Sequence, residues 1–439
     1  MKNIRIINAN IINEGDKKTG DIVIKNNRIE NISSSINGKE NEVVFDANGS
    51  LLLPGMIDAH VHFREPGLTD KGSLYSESRA AVAGGITSIM EMPNTVPAAV
   101  TNNILEEKFA LAKKNCMTNY SFYLGATNNN IDELISVDKK KVCGVKLFLG
   151  SSTGNLMVDS KDQIEDIFNK VTIPVALHCE VDEIIKNNEQ IAYENYGENV
   201  PFNQHSKIRS ANACFLSTQF ATELAKKYNT QIHILHMTTA AELEFFSSDK
   251  VDNKHITVEA CPHHLWFSNQ DYDQKGSFIK CNPSIKSSED RQSLRKALQD
   301  GLIDTIGTDH APHLINEKEN TYFNSPSGMP IVQSALPSLL EYLTPELVAQ
   351  KTAHNPSIIY KCKDRGFIRE GYFADLTIIN NQEKHTVNKN NIHYKCGWSP
   401  FEGVTFSSTI HATFVNGILA YRDGIFNDDV RGMRLIFDR

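Results

Sequence analysis

The 439 residues carry 45 Lys plus Arg against 53 Asp plus Glu, a formal net charge of −8 with no standout block of like charge, which argues against nucleic acid and anionic membrane as partners. The length admits a barrel-sized domain of about 250 to 300 residues plus a smaller companion. The eight cysteines form no C-x-x-C pair and several lie in apolar runs, the start enters a strand pattern without a signal-type core, and no run approaches the ~18 apolar residues of a membrane helix, so a reduced, cytoplasmic protein is expected.

Residues 1–53 alternate apolar and polar in short pieces such as Ile4 to Ile6 and Asp21 to Ile24, broken by the turn pairs Asn37-Gly38 and Asn48-Gly49. The middle of the chain changes grammar. Strands are expected near His60 and at Thr87 to Met92, Tyr120 to Leu124, Gly144 to Leu149, Val175 to His178, Gln231 to His236, Ile256 to Ala260 and Thr305 to Asp309. Helical stretches, among them Ser73 to Ala83 and Ala211 to Tyr228, separate several of them. From Gly371 the hairpin pattern returns, with Ala374 to Ile379 as a strand and Asn416-Gly417 and Asp423-Gly424 as turns. The expected fold is therefore α/β: a (β/α)8 TIM-type barrel over 54–364, with one small β-sandwich assembled from 1–53 and 365–439. An open doubly wound sheet is the competing architecture, but no Gly-rich phosphate turn follows the first strand.

Chemistry-bearing residues collect where those strands end. His60 and His62 sit at i and i+2, a spacing that turns both imidazoles to one side of a strand and lets them grip one metal. His178 and His236 follow the apolar runs Ile173 to Leu177 and Ile232 to Leu235. Asp309, in Gly-Thr-Asp-His-Ala-Pro-His, adds a carboxylate that is costly to bury without a metal or hydrogen bonds. Four histidines and an aspartate exceed one catalytic zinc with an open position and nearly suffice for two. Lys146 lies among apolar neighbours at the fourth strand, where two readings stay open: pairing with an acid, or a neutral amine able to take up CO2 as a bridging carbamate.

Four segments carry a family resemblance: Pro54-Gly55-Met56-Ile57-Asp58-Ala59-His60-Val61-His62-Phe63-Arg64-Glu65-Pro66-Gly67, Met92-Pro93-Asn94-Thr95, Gly144-Val145-Lys146-Leu147-Phe148, and Thr308-Asp309-His310-Ala311-Pro312-His313. With these the chain resembles the dihydroorotases of the amidohydrolase superfamily over most of its length. The resemblance implies two Zn2+ bridged by carboxylated Lys146 and hydroxide, with His60, His62 and Asp309 on one zinc and His178 and His236 on the other. Some dihydroorotases use an aspartate in place of that lysine, for which Asp159 is the nearby candidate. The implied reaction is reversible closure of N-carbamoyl-L-aspartate to L-dihydroorotate in pyrimidine biosynthesis. Asp309 would be the catalytic proton carrier. Arg64, Asn94, Asn282 and His313 would bind substrate, Arg64 by offering its planar fork to a carboxylate.

The resemblance also implies a homodimer, with aspartate transcarbamoylase as a partner of some relatives. Gly150 to Asn155 has the composition of a lid or of a static loop. His263 and His264 read as supporting or packing residues around a metal set already full, their neighbour Glu259 is left uncommitted, and Pro326 to Pro330 resembles a loop that meets the substrate ring. Two rival readings are kept: a related cyclic amidohydrolase (dihydropyrimidinase, hydantoinase or allantoinase), whose substrates lack the ring carboxylate, and a non-catalytic scaffold relative, which would have lost ligands.

Overall fold

The computed structural model describes residues 3–38, 42–149 and 156–439. Eight parallel strands, labelled here β1 to β8, run in chain order around one sheet: Met56–Val61, Ile86–Glu91, Asn119–Gly125, Gly144–Phe148, Val175–His178, Ile232–Ile234, Ile256–Ala260 and Thr305–Ile306. A parallel bridge between Val61 and His310 joins the two edges, with His62 N–H donating to His310 O at 2.7 Å. Asp58 of β1 reinforces that seam by accepting from Thr308 N at 3.0 Å and Thr308 Oγ1 at 2.6 Å. The eight strands expected from the sequence are thus present as a nearly closed barrel.

Local chemistry explains why the connecting helices start and stop where the sequence placed them. Ser73 caps Leu74–Ala83 through a reciprocal box with Ser76, and Ser210 caps Ala211–Tyr228, which ends at Asn229 in the left-handed conformation, φ +55°. Two strands are shorter than expected. Beyond Ile234 and Ile306 the backbone reaches φ +39° at His236 and φ +50° at Asp309, a conformation that breaks the ladder.

The chain ends share a second, nine-stranded sheet. Ile4–Asn13 pairs with Leu51–Pro54, which pairs antiparallel with Leu376–Asn380, and so links residues from both termini. Its apolar cluster includes Ile6, Ile22, Leu52, Leu376 and Phe414 and is distinct from that of the barrel wall. Two parts of the C-terminal region return to the barrel. Trp398 donates from Nε1 to His313 O at 2.7 Å, and Phe401 stacks on Phe267.

Residues 430–439, grouped by sequence with the small β unit, run to the barrel base, where Leu435 and Phe437 are fully buried against Ile57, Met90, Tyr123 and Tyr360. Phe437→Ala is therefore expected to destabilise the protein by about 3 to 5 kcal/mol, read from the denaturant midpoint. A loss under about 1 kcal/mol would mean the base is closed without this side chain.

Candidate active site

The side chains singled out at the strand ends line one cavity of about 220 Å³ at the C-terminal mouth of the barrel: His60, His62, Arg64, Asn94, Lys146, His178, His236, Asn282, Asp309 and His313 all reach it. Parallel register puts them there. Pairing of β4 with β5 sets Lys146 beside Ala176 and Phe148 beside His178, so the lysine sits one inward step deeper than the imidazole.

His60, His62 and Asp309 offer ligand atoms that all lie within 4.8 Å of one another. Asp309 Oδ1 is 3.1 Å from both His60 Nε2 and His62 Nε2. The outer nitrogens are held as well: His60 Nδ1 is 2.7 Å from Glu259 Oε1, and His62 Nδ1 is 2.7 Å from Asn94 Oδ1. Each ring thus keeps Nε2 turned toward Asp309 because an oxygen acceptor fixes Nδ1–H, the arrangement by which metal-binding histidines are oriented. On the far side, His178 Nδ1 lies 3.0 Å from His236 Nε2, and His178 Nε2 lies 2.9 Å from Glu180, which is itself paired to Arg209. Gly307 leaves room beneath this cluster, since a Cβ there would come within 2.1 Å of Glu259 Oε2 and 3.1 Å of His60 Cβ and would push the carboxylate off the His60 ring.

Burial and charge divide the protonation states. Burial pushes His62 down to about 4 and lowers His178, while burial and the facing imidazoles hold His236 well below its ordinary range. For His60 burial disfavours the cation, but Asp309 and Glu259 outweigh it and raise the ring to about 9. Burial also opposes ionisation of Asp309 and Glu259, yet the histidines beside them dominate, leaving Asp309 well below the carboxylate range and Glu259 at about 2.

Lys146 is 1% exposed and burial lowers it to about 7. Among the described residues no carboxylate lies within ion-pair distance of it, so the acid-pairing reading finds no partner there, and its Nζ sits 4.5 Å from the Phe148 ring centroid. Asp159 is not in the cavity: it is exposed and accepts from Asn128 Nδ2 at 2.8 Å. The 150–155 loop lies outside the described residues.

This donor set fits divalent metal. Four buried imidazoles, with His62, His178 and His236 held below their ordinary range and His60 raised by Asp309 and Glu259, an ionised carboxylate and a poorly solvated amine are nitrogen and oxygen ligands suited to zinc, and the His60 proton is the one a metal would displace. His236 Nδ1 is buried without a hydrogen-bond partner among the described residues.

A second patch of the cavity carries a buried cation. Arg64, at φ +73°, is anchored by Nε donating to Pro312 O at 3.1 Å, and its Nη2 lies 3.0 Å from His313 Nε2. Asn282 Oδ1 is buried without a hydrogen-bond partner among the described residues. His263 and His264 are buried off the cavity lining, with His264 Nε2 3.0 Å from Pro283 O.

Sequence reasoning left Glu259 uncommitted and did not name Glu180 or Arg209. The signal for Glu259 was available, an acid inside the otherwise buried strand Ile256–Ala260. Glu180 carries a local signal, standing two residues after His178 and meeting its Nε2, but its partner Arg209, 29 residues away, is set only by the fold.

An amidohydrolase family model matches residues 51–419. The dihydroorotase of Methanosphaera stadtmanae is 32% identical over 438 residues, spanning 96% of this chain and 97% of that protein. The allantoinase of Bacillus velezensis is 30% identical over 428 residues, spanning 95% and 93%. Among solved structures, an L-hydantoinase from Arthrobacter aurescens superposes with a TM-score of 0.91 at 23% identity, covering 97% of this chain and 98% of that one, a likeness of fold.

Proposed function

The chain belongs to the amidohydrolase family, and on that premise we propose that it catalyses the dihydroorotase reaction, the reversible closure of N-carbamoyl-L-aspartate to L-dihydroorotate. The observation that carries the choice within the family is Arg64, buried in the same cavity as the histidine–aspartate cluster, with His313 beside it. A planar guanidinium there matches the ring carboxylate of dihydroorotate, which dihydrouracil, hydantoin and allantoin lack. Several curated relatives at about 30% identity bear the dihydroorotase name, which supports the same choice. The ligand positions are all retained, which speaks against a scaffold relative.

We assign the metal ligands as His60, His62 and Asp309 on one side and His178 and His236 on the other, with Lys146 between them as its carbamate. Two Zn2+ held so would supply a nucleophilic oxygen at neutral pH and polarise the ring carbonyl. The chain does the rest. Arg64 and His313 hold the carboxylate, and Asn94 and Asn282 orient the ring from either side. Asp309 Oδ1 faces the two imidazoles, and its Oδ2 takes the proton released on attack and delivers it to the departing ring nitrogen. In the closing direction the same oxygen takes the proton from the carbamoyl nitrogen. Asn94 has a second task, since its Oδ1 fixes the His62 tautomer.

Arg64→Ala tests the carboxylate assignment. It is expected to lower kcat/KM for L-dihydroorotate by about 100-fold or more through loss of a buried charge-assisted pair. Metal content should be unchanged, and any weak turnover of neutral hydantoin should persist. An equal fall on both substrates would show that Arg64 supports the cavity without reading the carboxylate.

A further inference from the structure

Two lysines lie buried behind one wall of the cavity, and among the described residues neither has a carboxylate within ion-pair distance. Lys318 is 0% exposed, and its Nζ donates to Pro326 O at 2.8 Å, Gly328 O at 3.0 Å and Lys280 O at 3.4 Å. Lys280 is 7% exposed, and its Nζ donates to Tyr322 O at 2.6 Å and Ser325 O at 2.7 Å. Four of these five carbonyls belong to the 322–328 loop, whose Pro326, Ser327 and Gly328 line the cavity.

The loop is tied to the lysines' own backbone as well. Gly328 N–H donates to Lys280 O at 2.9 Å and Ser325 Oγ to Lys318 O at 3.3 Å. It also packs closely on the facing backbone: at Gly328, φ +135°, an added Cβ would meet Ala311 O at 2.7 Å and Ala311 Cβ at 2.8 Å. Ser327 O, in turn, lies 3.1 Å from His313 Nε2, next to Arg64.

Neutral donors could satisfy the same carbonyls at less desolvation cost. Burial lowers Lys280 to about 8 and Lys318, with Lys280 beside it, to about 7, so at neutral pH Lys280 keeps most of its charge and Lys318 part of its own, and what the pair adds over neutral donors is that charge. Of the nearby acids, Glu317 pairs with Lys71 and Glu180 with Arg209, while Glu189 faces Lys280 from beyond ion-pair distance and offsets only part of its charge, so a net positive field is left for a ligand in the cavity. We infer that Lys280 and Lys318 are positioning residues that fix the 322–328 wall and bias the cavity toward anionic over neutral rings. The substrate-class half of this inference rests on the dihydroorotase reading; the wall-fixing half does not.

The test uses metal-loaded full-length protein and two rings that differ by a carboxylate, orotate and uracil, with Kd measured for the parent, Lys318→Met and Lys280→Met. The parent should prefer orotate. Each variant should weaken orotate by about tenfold or more while changing uracil by less than about twofold, and amide exchange at 325–329 should quicken by about tenfold or more. Both variants should keep a cooperative melt. Unchanged discrimination with unchanged exchange overturns the inference, as does a variant that loses its fold, because the role assigned is local. If the parent does not turn over L-dihydroorotate, the reaction assignment fails, and the exchange rates still decide whether the lysines hold the wall.

Discussion

Replacing Asp309 by Asn is expected to lower turnover of L-dihydroorotate by about 10³-fold or more while leaving a folded barrel. The carboxylate is asked to do two things that an amide cannot do. Its Oδ1 lies 3.1 Å from His60 and His62, where it would serve as an anionic ligand atom, and on the proposed reaction it would carry a proton between the attacking oxygen and the ring nitrogen. The backbone should tolerate the exchange, because residue 309 sits at φ +50°, a conformation that Asn adopts about as readily as Asp. Steady-state kinetics, bound metal and thermal melting on the same preparation separate the effects. A variant that keeps its melt and loses turnover supports the assignment; an Asn variant with near-parental kcat contradicts it.

Lys146→Ala is the second large effect. The side chain is buried in β4 beside Ala176 of β5, and its amine has no acid partner among the described residues. Removing it should empty part of the site, lowering metal retention and activity together by at least about 100-fold. Acetate or propionate can enter the space left by the side chain and offer two oxygens where the proposed carbamate would stand. Partial recovery of both metal and activity on adding these acids is therefore expected, whereas added methylamine, which offers no carboxylate, should restore neither. Full metal and activity without any additive would remove Lys146 from the bridge.

What the sequence could show depended on whether a feature was local. His60-x-His62 is legible because period two along a strand fixes its direction, and Val175 to His178 and Ile256 to Ala260 coincide with the observed strands because their apolar runs end at sharp chemical boundaries. His236 and Asp309 were found as residues, but their setting was not: both lie beyond the ladder at positive φ, and a propensity argument extends the strand through them. The Glu259 contact joins residues 199 apart, which no window along the chain can pair. Asp159, plausible as a bridging acid by proximity in sequence, points into solvent toward Asn128. The return of Leu435 and Phe437 to the barrel base is likewise decided by tertiary packing, since a short apolar segment reads the same wherever it docks.

If a metal-holding histidine–aspartate cluster and a carboxylate-reading arginine share one cavity, a single parallel assay should reveal both. Zinc-loaded protein is offered L-dihydroorotate, dihydrouracil, hydantoin and allantoin, with bound metal counted on the same sample. Turnover confined to, or at least about 100-fold faster on, L-dihydroorotate, with about two metals per chain, is the predicted result. Preferred turnover of a ring without the carboxylate, or no turnover of any of the four with the metal site filled, would contradict it.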